Sequence, residues 1–471
     1  MYKMRTMPWE HQLKALDYLM VRDCGALYTD MGTGKTKVGV DLIVNKEFKT
    51  TVVVTTLKSC KVWEQEIVIH GDGEFFVLNL AKMSTLDKEP IMRKTFASHQ
   101  NTSTGERKRL VIIVNYDSIW RKPFSETLVK SSIDCVICDE SHRIKSPGSK
   151  CSLYLTRLGK KVKNRYMFTG TPSSGKPLDV YAQYRFLDSS IFGTNFYSFR
   201  ERYENVDAQK TAFAGYRVLK KDKPWKNLNE LKRKMYSCAF YVESKLELPE
   251  VTDKYVEFEL SSKTKAVYKE LNKQGAFIHN EQEVAEINNA LTKSLRLQEV
   301  LSGYLKLENL KTKSNRKEII GTERLDTLEE LLEGLNGEKT VVFAKFRQDF
   351  SNIKRLCEKK GLKYGEISGK KDDYECWKNN DINVITVHYK SGAESISLVE
   401  ARYCVYYTLP HSYELYLQSR KRVHRPGQKK PVTYIHLCAE DISKSCLSID
   451  TKIIKALERK QDLVEYLLSE M

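Results

Sequence analysis

One segment near the start constrains this chain more than any other. An apolar run at residues 25–28 leads into Thr29-Asp30-Met31-Gly32-Thr33-Gly34-Lys35-Thr36, and residues 38–44 then repeat apolar positions with helical spacing. Strand, glycine-rich turn and helix in that order is the context in which a Gly-Lys-Thr ending cradles phosphate. The glycines let backbone N–H groups approach phosphate oxygens, and the helix start adds a favourable dipole. Asp30, Met31, Gly32, Thr33 and Gly34 form the loop, Lys35 is placed to reach the β- and γ-phosphates, and the Thr36 hydroxyl is placed to bind Mg²⁺. Thr29 stands where the strict pattern has glycine. A plain glycine-rich turn with a solvated lysine is the rival reading, and the flanking strand and helix weigh against it.

The rest of the chain repeats the α/β theme. Residues 51–55, 110–114 and 133–138 are short, β-branched-rich runs followed by polar residues, as buried parallel strands are. Helical periodicity fits residues 11–20 and 35–44. From about residue 186 to 245, aromatics and bases interleave (Phe192, Phe196, Tyr197, Phe199, Tyr203, Tyr216, Trp225), which predicts a mostly helical insertion. Residues 251–260 alternate as a strand, and residues 264–307 are predicted helical, with Tyr268, Leu291 and Leu295 among the apolar positions. A second strand series follows at 340–343, 364–367, 383–387, 403–407 and 432–437. A final helix at 449–468 carries Ile453, Ile454, Leu457, Leu463 and Leu467. The predicted organisation is a first lobe at 1–262, with a helical basic insertion at about 186–250, a helical linker at 263–318, and a second lobe at 319–471. The polar stretch 98–109 is the candidate mobile loop.

The run Ile133-Asp134-Cys135-Val136-Ile137-Cys138-Asp139-Glu140-Ser141-His142 is a strand ending in two carboxylates. Asp139 suits Mg²⁺, directly or through water, and Glu140 suits the general base that polarises an attacking water. Cys135, Cys138 and His142 raise the possibility of zinc. No second cysteine pair lies nearby, and strand alternation puts the two cysteines on opposite faces, so packed strand cysteines are the better account.

Charge narrows the partner. The chain has 471 residues, with 79 Lys+Arg against 61 Asp+Glu and a net charge of +18. That excess suggests a polyanion, with nucleic acid favoured over anionic membrane, because no Lys-rich amphipathic anchor or membrane-length apolar run is visible. The start has no apolar signal core and the eleven cysteines are scattered and odd in number. Both predict a reduced, cytoplasmic protein that is not secreted.

The order of motifs resembles Swi/Snf-type, chromatin-remodeller-like superfamily-two helicases, and the resemblance spans nearly the whole chain. Trp9-Glu10-His11-Gln12 is similar to the family's adenine-reading segment, which nominates Gln12. Residues 52–55 with Leu57, Trp63 and Glu66 resemble motif Ia. Residues 111–114 with Asn115-Tyr116-Asp117 resemble motif Ib. Asp139–His142 extended by Arg143-Ile144-Lys145 resembles motif II, and Thr169-Gly170-Thr171-Pro172 resembles motif III, which implies coupling of the phosphate site to DNA through His142, Thr169, Gly170, Thr171 and Gln418. In the second unit, residues 341–344 resemble motif IV, and Ile367-Ser368-Gly369 resembles a DNA-contacting motif. Gln418, Arg420, Arg422, His424, Arg425, Gly427 and Gln428 make a full motif VI, which nominates Arg425 as arginine finger and Arg422 as a second γ-phosphate contact. The usual motif V glycine and asparagine are replaced in Gly392-Ala393-Glu394-Ser395-Ile396-Ser397-Leu398, and the usual basic signature before Leu248-Pro249 is missing.

The resemblance implies two RecA-like lobes with a helical middle, working as a monomeric motor that hydrolyses ATP with Mg²⁺ and translocates on double-stranded DNA. Phosphate and sugar contacts are expected from Lys58, Asn115, Ser118, Lys145, Arg347, Ser368, Gly369 and Lys390. The short chain is more similar to minimal bacterial or phage members than to eukaryotic remodellers. A strand-separating DNA or RNA helicase is the alternative within the class, and a non-hydrolysing DNA clamp is the alternative outside it. Residues 217–234 hold eight Lys/Arg and two acids, readable either as a phosphate-contacting face or as an ordinary solvated one.

Overall fold

The computed structural model describes residues 2–30, 32–100, 108–214, 217–242, 248–280, 283–286, 289–309, 311–312, 314–392 and 396–469. The chain divides into two compact units, one of Met1–Lys245 with Lys460–Met471, the other of Leu246–Arg459.

The first unit is built on seven strands: β1 (Cys24–Thr29), β2 (Thr50–Thr55), β3 (Phe75–Asn79), β4 (Arg109–Asn115), β5 (Cys135–Asp139), β6 (Asn164–Thr169) and β7 (Ala239–Val242). They lie in the order β3-β4-β2-β5-β6-β1-β7, and every pairing is parallel. The continuous apolar runs follow from burial on both faces. Val52, Val54, Val136 and Cys138 enter one core, while Val53, Cys135 and Ile137 enter the other. The two cysteines therefore do face opposite sides. All seven strands point the same way, so every strand-end loop gathers at one edge, where open α/β sheets bind ligands.

Between β6 and β7 lie the helices Ser189–Phe192, Phe196–Tyr203, Ala208–Ala214 and Leu228–Tyr236. The insertion expected at about 186–250 is helical, but it returns to the sheet as β7, which pairs with the phosphate-loop strand from Ala26↔Ala239 to Thr29↔Val242. Its aromatics pack inward: Phe192 meets Phe199 with ring centroids 5.1 Å apart, and Phe199 meets Tyr203 at 4.7 Å. Tyr197 alone of that set is largely exposed, and Tyr216 lies outside the described residues. Of the stretch 98–109, the helix Thr85–Gln100 takes the first part and β4 starts at Arg109, while residues 101–107 lie outside the described residues.

The second unit has a six-stranded, all-parallel sheet of β8 (Val251–Phe258), β13 (Thr340–Ala344), β14 (Tyr364–Ile367), β15 (Val384–His388), β16 (Tyr403–Tyr406) and β17 (Val432–Ala439), ordered β14-β15-β13-β16-β17-β8. Here the predicted boundary at 262 needs correction. β8 pairs with β17 from Val251↔Val432 to Phe258↔Ala439, so it belongs to the second sheet. Alternation announces a strand but not its partner, and this partner lies about 180 residues downstream.

The expected helical linker at 263–318 is also corrected. Helices Ser262–Gln274 and Ala290–Leu301 flank a four-stranded antiparallel sheet of β9 (Ala276–Asn280), β10 (Glu283–Glu286), β11 (Tyr304–Asn309) and β12 (Asn315–Ile319), ordered β12-β11-β10-β9. Gly275 ends the first helix at φ +76°, a conformation that favours glycine. Leu291, read as a core position, is exposed, whereas Tyr268 and Leu271 are fully buried. The final helix forms at Ile449–Leu468 as expected, but its assignment to the second lobe is corrected: Lys460–Met471 belong to the first unit, whose core Leu463 and Leu467 join.

Candidate active site

The phosphate loop closes on itself. The Lys35 ammonium donates to the carbonyls of Thr29 at 2.9 Å and Asp30 at 2.8 Å. The Thr33 hydroxyl donates to the Asp30 carbonyl at 2.8 Å. Gly32 and Gly34 sit at φ +83° and +77°, and Gly34 precedes the helix Lys35–Asn45. A Cβ on Gly34 would lie 2.2 Å from Gln12 Nε2, so the position is closed to any side chain. Gln12 is buried, takes the Trp9 N–H on its Oε1 at 2.9 Å and donates to the Thr33 carbonyl at 3.0 Å. His11 Nε2 donates to the same carbonyl at 2.9 Å. Gln12 thus braces the loop whether or not it reads a base. Thr36 is half-buried one residue after Lys35. Met31 lies outside the described residues.

Asp139 ends β5, two places from β1 across β6. Its Oδ2 accepts hydrogen bonds from Thr55 Oγ1 and Trp63 Nε1, both at 2.9 Å, and its Oδ1 accepts the Glu140 N–H at 3.1 Å. Burial raises the Asp139 carboxyl above its usual range and the neighbouring Glu140 adds to the rise, while Trp63, Lys35 and Thr55 oppose it. Glu140 adopts a left-handed backbone, φ +54°, unusual for a non-glycine residue and common at functional sites. That turn brings its Oε2 to 3.3 Å from His142 Nδ1, which also lies 3.1 Å from Thr169 Oγ1. Thr169 Oγ1 in turn accepts the Thr171 N–H at 3.1 Å. A run of side chains therefore connects the end of β5 to the end of β6, through residues expected to couple. Gly170 and Thr171 are buried beside it. Lys145 adds a second link, donating to Ser174 Oγ at 2.7 Å, and Ser174 N–H donates to Asp179 at 2.7 Å.

Two participants went unassigned in the sequence. Trp63 and Thr55 are placed by the sequence only within the resemblance to motif Ia, with no role assigned to either side chain. Their joint hold on Asp139 depends on β2 lying next to β5. No local signal carries that neighbourhood.

The residues expected at a nucleic-acid track all lie at or after parallel-strand ends. Lys58 follows β2, Asn115 ends β4 and Ser118 follows it, Lys145 follows β5, Arg347 follows β13, Ser368 and Gly369 follow β14, and Lys390 follows β15. Lys58, Arg347, Gly369 and Lys390 are exposed. Asn115 and Ser118 are buried, and the Ser118 hydroxyl donates to the Asn115 side chain. Ser368 Oγ accepts the Lys370 N–H at 3.1 Å.

In the second unit, Gln418, Arg420 and Arg422 lie on the helix Tyr413–Val423, with Arg425 just beyond it. Arg422 and Arg425 each donate to the Ile396 carbonyl, at 3.4 and 3.3 Å. Arg420 turns the other way. It clamps Asp253 of β8 with bonds of 2.5 and 2.8 Å and lies 4.0 Å over the Tyr434 ring. Burial alone would raise the Asp253 carboxyl, but His436 and Arg420 hold it well below the usual carboxylate range. Arg420 is thus a structural member of motif VI. Gln418 is buried, and residues 393–395 of motif V lie outside the described residues.

Among the described residues no group of three or more His, Cys, Asp or Glu could hold a metal, and no helix is long and apolar enough to cross a membrane.

Residues 323–427 match the helicase conserved C-terminal domain. An uncharacterized ATP-dependent helicase of Mycoplasma pneumoniae is 24% identical over 462 residues, 95% of this chain and 40% of that protein. The Drosophila melanogaster SWI/SNF-related matrix-associated actin-dependent regulator of chromatin subfamily A-like protein 1 is 25% identical over 453 residues, 92% of this chain and 52% of that protein. The chain thus spans about half the length, or less, of these curated relatives. A solved structure titled Sulfolobus solfataricus SWI2/SNF2 ATPase core in complex with dsDNA is 17% identical, covers 100% of this chain and 98% of its own, and has a TM-score of 0.42. Residues 11–315 match the SNF2-related domain, and the chain belongs to the SNF2-related family.

Proposed function

We propose that this chain is a DNA-dependent ATPase that hydrolyses ATP with Mg²⁺ and moves along double-stranded DNA. The observation that carries the reading is the side-chain run Glu140–His142–Thr169, closed by the Thr171 backbone N–H, which ties the candidate base to the strand-end loops where a polymer would lie. Lys35 exchanges the carbonyls of Thr29 and Asp30 for phosphate oxygens when nucleotide enters. The oxygen donors Thr36 and Asp139 suit a hard cation that keeps water and phosphate in its shell. When bound, Mg²⁺ neutralises charge on the transferring phosphoryl group. Asp139 is held in one orientation by Thr55 and Trp63, so it meets the cation without rearrangement. Glu140 orients and deprotonates water, and His142 reports its state to Thr169. Arg422 and Arg425 supply positive charge to the γ-phosphate in the transition state. The net charge of +18 and a relative named as a chromatin regulator support DNA as the polymer.

The test is ATP turnover with and without duplex DNA, for the wild type and Glu140→Gln. Stimulation by DNA that disappears in the variant supports the reading. DNA binding with no turnover in the wild type leaves the clamp, and unwinding of a forked duplex makes the chain a strand-separating helicase.

A further inference from the structure

Residues 189–236 carry eleven Lys/Arg against five Asp/Glu, a third of the chain's net charge in about a tenth of its length. The structure sorts these charges. Glu204 pairs with Arg217 at 2.5 Å and Arg200 at 3.7 Å, Glu230 with Arg202 at 2.6 Å and Lys234 at 3.2 Å, and Asp207 with Lys210 at 3.3 Å. Three of the five acids are thereby used at the base of the insertion. Lys221, Lys223 and Lys226 are exposed, and among the described residues no carboxylate pairs with them.

These lysines sit on a fixed support. Residues 218–226 run back along residues 203–207 as an antiparallel ribbon, bridged at Glu204↔Trp225 and Val206↔Leu219. Lys220 N–H donates to the Asn205 carbonyl, Asn205 N–H to the Pro224 carbonyl and Lys226 N–H to the Tyr203 carbonyl, each at 2.9 Å. Asn205 Nδ2 donates to the Lys223 carbonyl at 2.9 Å. A ribbon held this way presents its charges with little backbone freedom left to lose on binding. Of its apolar members, Trp225 packs against the first unit's core and Val218 and Leu219 are half-buried, so no wedge faces outward as a bilayer-binding segment requires.

We propose that this ribbon is a second docking surface for the phosphate backbone of duplex DNA, separate from the strand-end loops, with Lys221, Lys223 and Lys226 as its contacts. The inference rests on the DNA-motor reading and adds an anchor beside the track. Sequence-independent phosphate contacts release counterions, so each is visible as salt dependence.

The experiment compares the full-length wild type with the Lys221→Glu/Lys223→Glu/Lys226→Glu triple variant and a matching triple glutamine variant. Duplex affinity is followed by fluorescence anisotropy across a salt series, alongside DNA-free ATP turnover. We expect both variants to bind duplex at least about tenfold more weakly near 0.1 M salt. The slope of log affinity against log salt should fall by about 2–3, three contacts' worth, in the glutamine variant. DNA-free turnover and nucleotide affinity should stay at wild-type levels. Unchanged affinity and slope in both variants, with a wild type that DNA stimulates, overturn the anchor and leave the motor standing. A wild type that neither binds nor responds to duplex overturns the motor reading and the anchor with it. Loss of binding to phosphatidylserine vesicles with duplex binding intact overturns the anchor in favour of a membrane contact.

Discussion

The strand-end edges of the two parallel sheets do opposite things with their charges. At the first, functional side chains hold one another: Trp63 and Thr55 grip Asp139, Glu140 meets His142, and His142 meets Thr169. At the second, Arg422 and Arg425 share the backbone carbonyl of Ile396, at 3.4 and 3.3 Å. The arginine with tight side-chain partners, Arg420, faces away toward Asp253. A site that must bind cation and water in a fixed geometry gains from mutual side-chain restraint. An arginine locked into a tight ion pair would have to break it before it could engage a phosphate, which fits Arg420 to a structural role.

That contrast can be broken most sharply at Arg425. Arg425→Ala is expected to lower DNA-stimulated turnover by about 10³-fold while leaving ATP affinity within a few-fold, as removal of a transition-state arginine does. Equilibrium titration with a fluorescent nucleotide checks this, and a collapse of affinity assigns Arg425 to ground-state binding. Next in size is Trp63→Phe, which keeps the ring and removes the bond to Asp139. A fall of about 10–100-fold in Mg²⁺ affinity or activity is expected, read from turnover against Mg²⁺ concentration, and chelation by EDTA should silence both proteins. An unchanged Mg²⁺ curve means the bond to Trp63 is ornamental to the site.

Thr169→Val tests the relay. It should reduce the stimulation by duplex roughly tenfold and change DNA-free turnover much less. Equal losses in both would mean that Thr169 serves the fold alone. The smallest effect is reserved for the side of motif VI that faces away. Asp253→Asn should cost about 1–3 kcal/mol of stability at neutral pH, discounted toward the lower end by solvent at this partly exposed carboxylate. Because the folded carboxyl titrates below its unfolded value, the stability it gives is present above about pH 4. It is lost as pH falls through the folded value, so the gap between wild type and variant in thermal melts should narrow in acid. A gap independent of pH would show that packing, and not charge, is what Asp253 supplies.

Much of this was legible in the residues. The apolar runs marked most of the parallel strands, and the phosphate loop, the Asp139-Glu140 pair and motif VI stood out locally because each is a contiguous set. The reading failed where a segment's role depends on a distant partner. Residues 251–258 read as a strand but could not reveal that they complete the second sheet beside β17. Residues 263–318 read as helix because apolar spacing there tolerates either period, and Gly275 and Gly303 are the local signs of a break. Arg420, two residues from Arg422, reads only as a member of motif VI, and its hold on Asp253 is visible only in the structure.

By itself, then, the sequence determined which chemistry the chain carries, because a Gly-Lys-Thr turn, paired carboxylates and clustered arginines are contiguous and their meaning is local. The tertiary structure decided which side chains serve it, since hydrogen bonds between neighbouring strands select partners dozens of residues apart. Asp139 owes its orientation to Trp63, 76 residues upstream, and Arg420 is diverted from its motif by Asp253, 167 residues away. Each pair joins a helix residue to a strand residue, so only the packing of helices on the ordered sheets brings them within about 3 Å, the range at which a hydrogen bond forms.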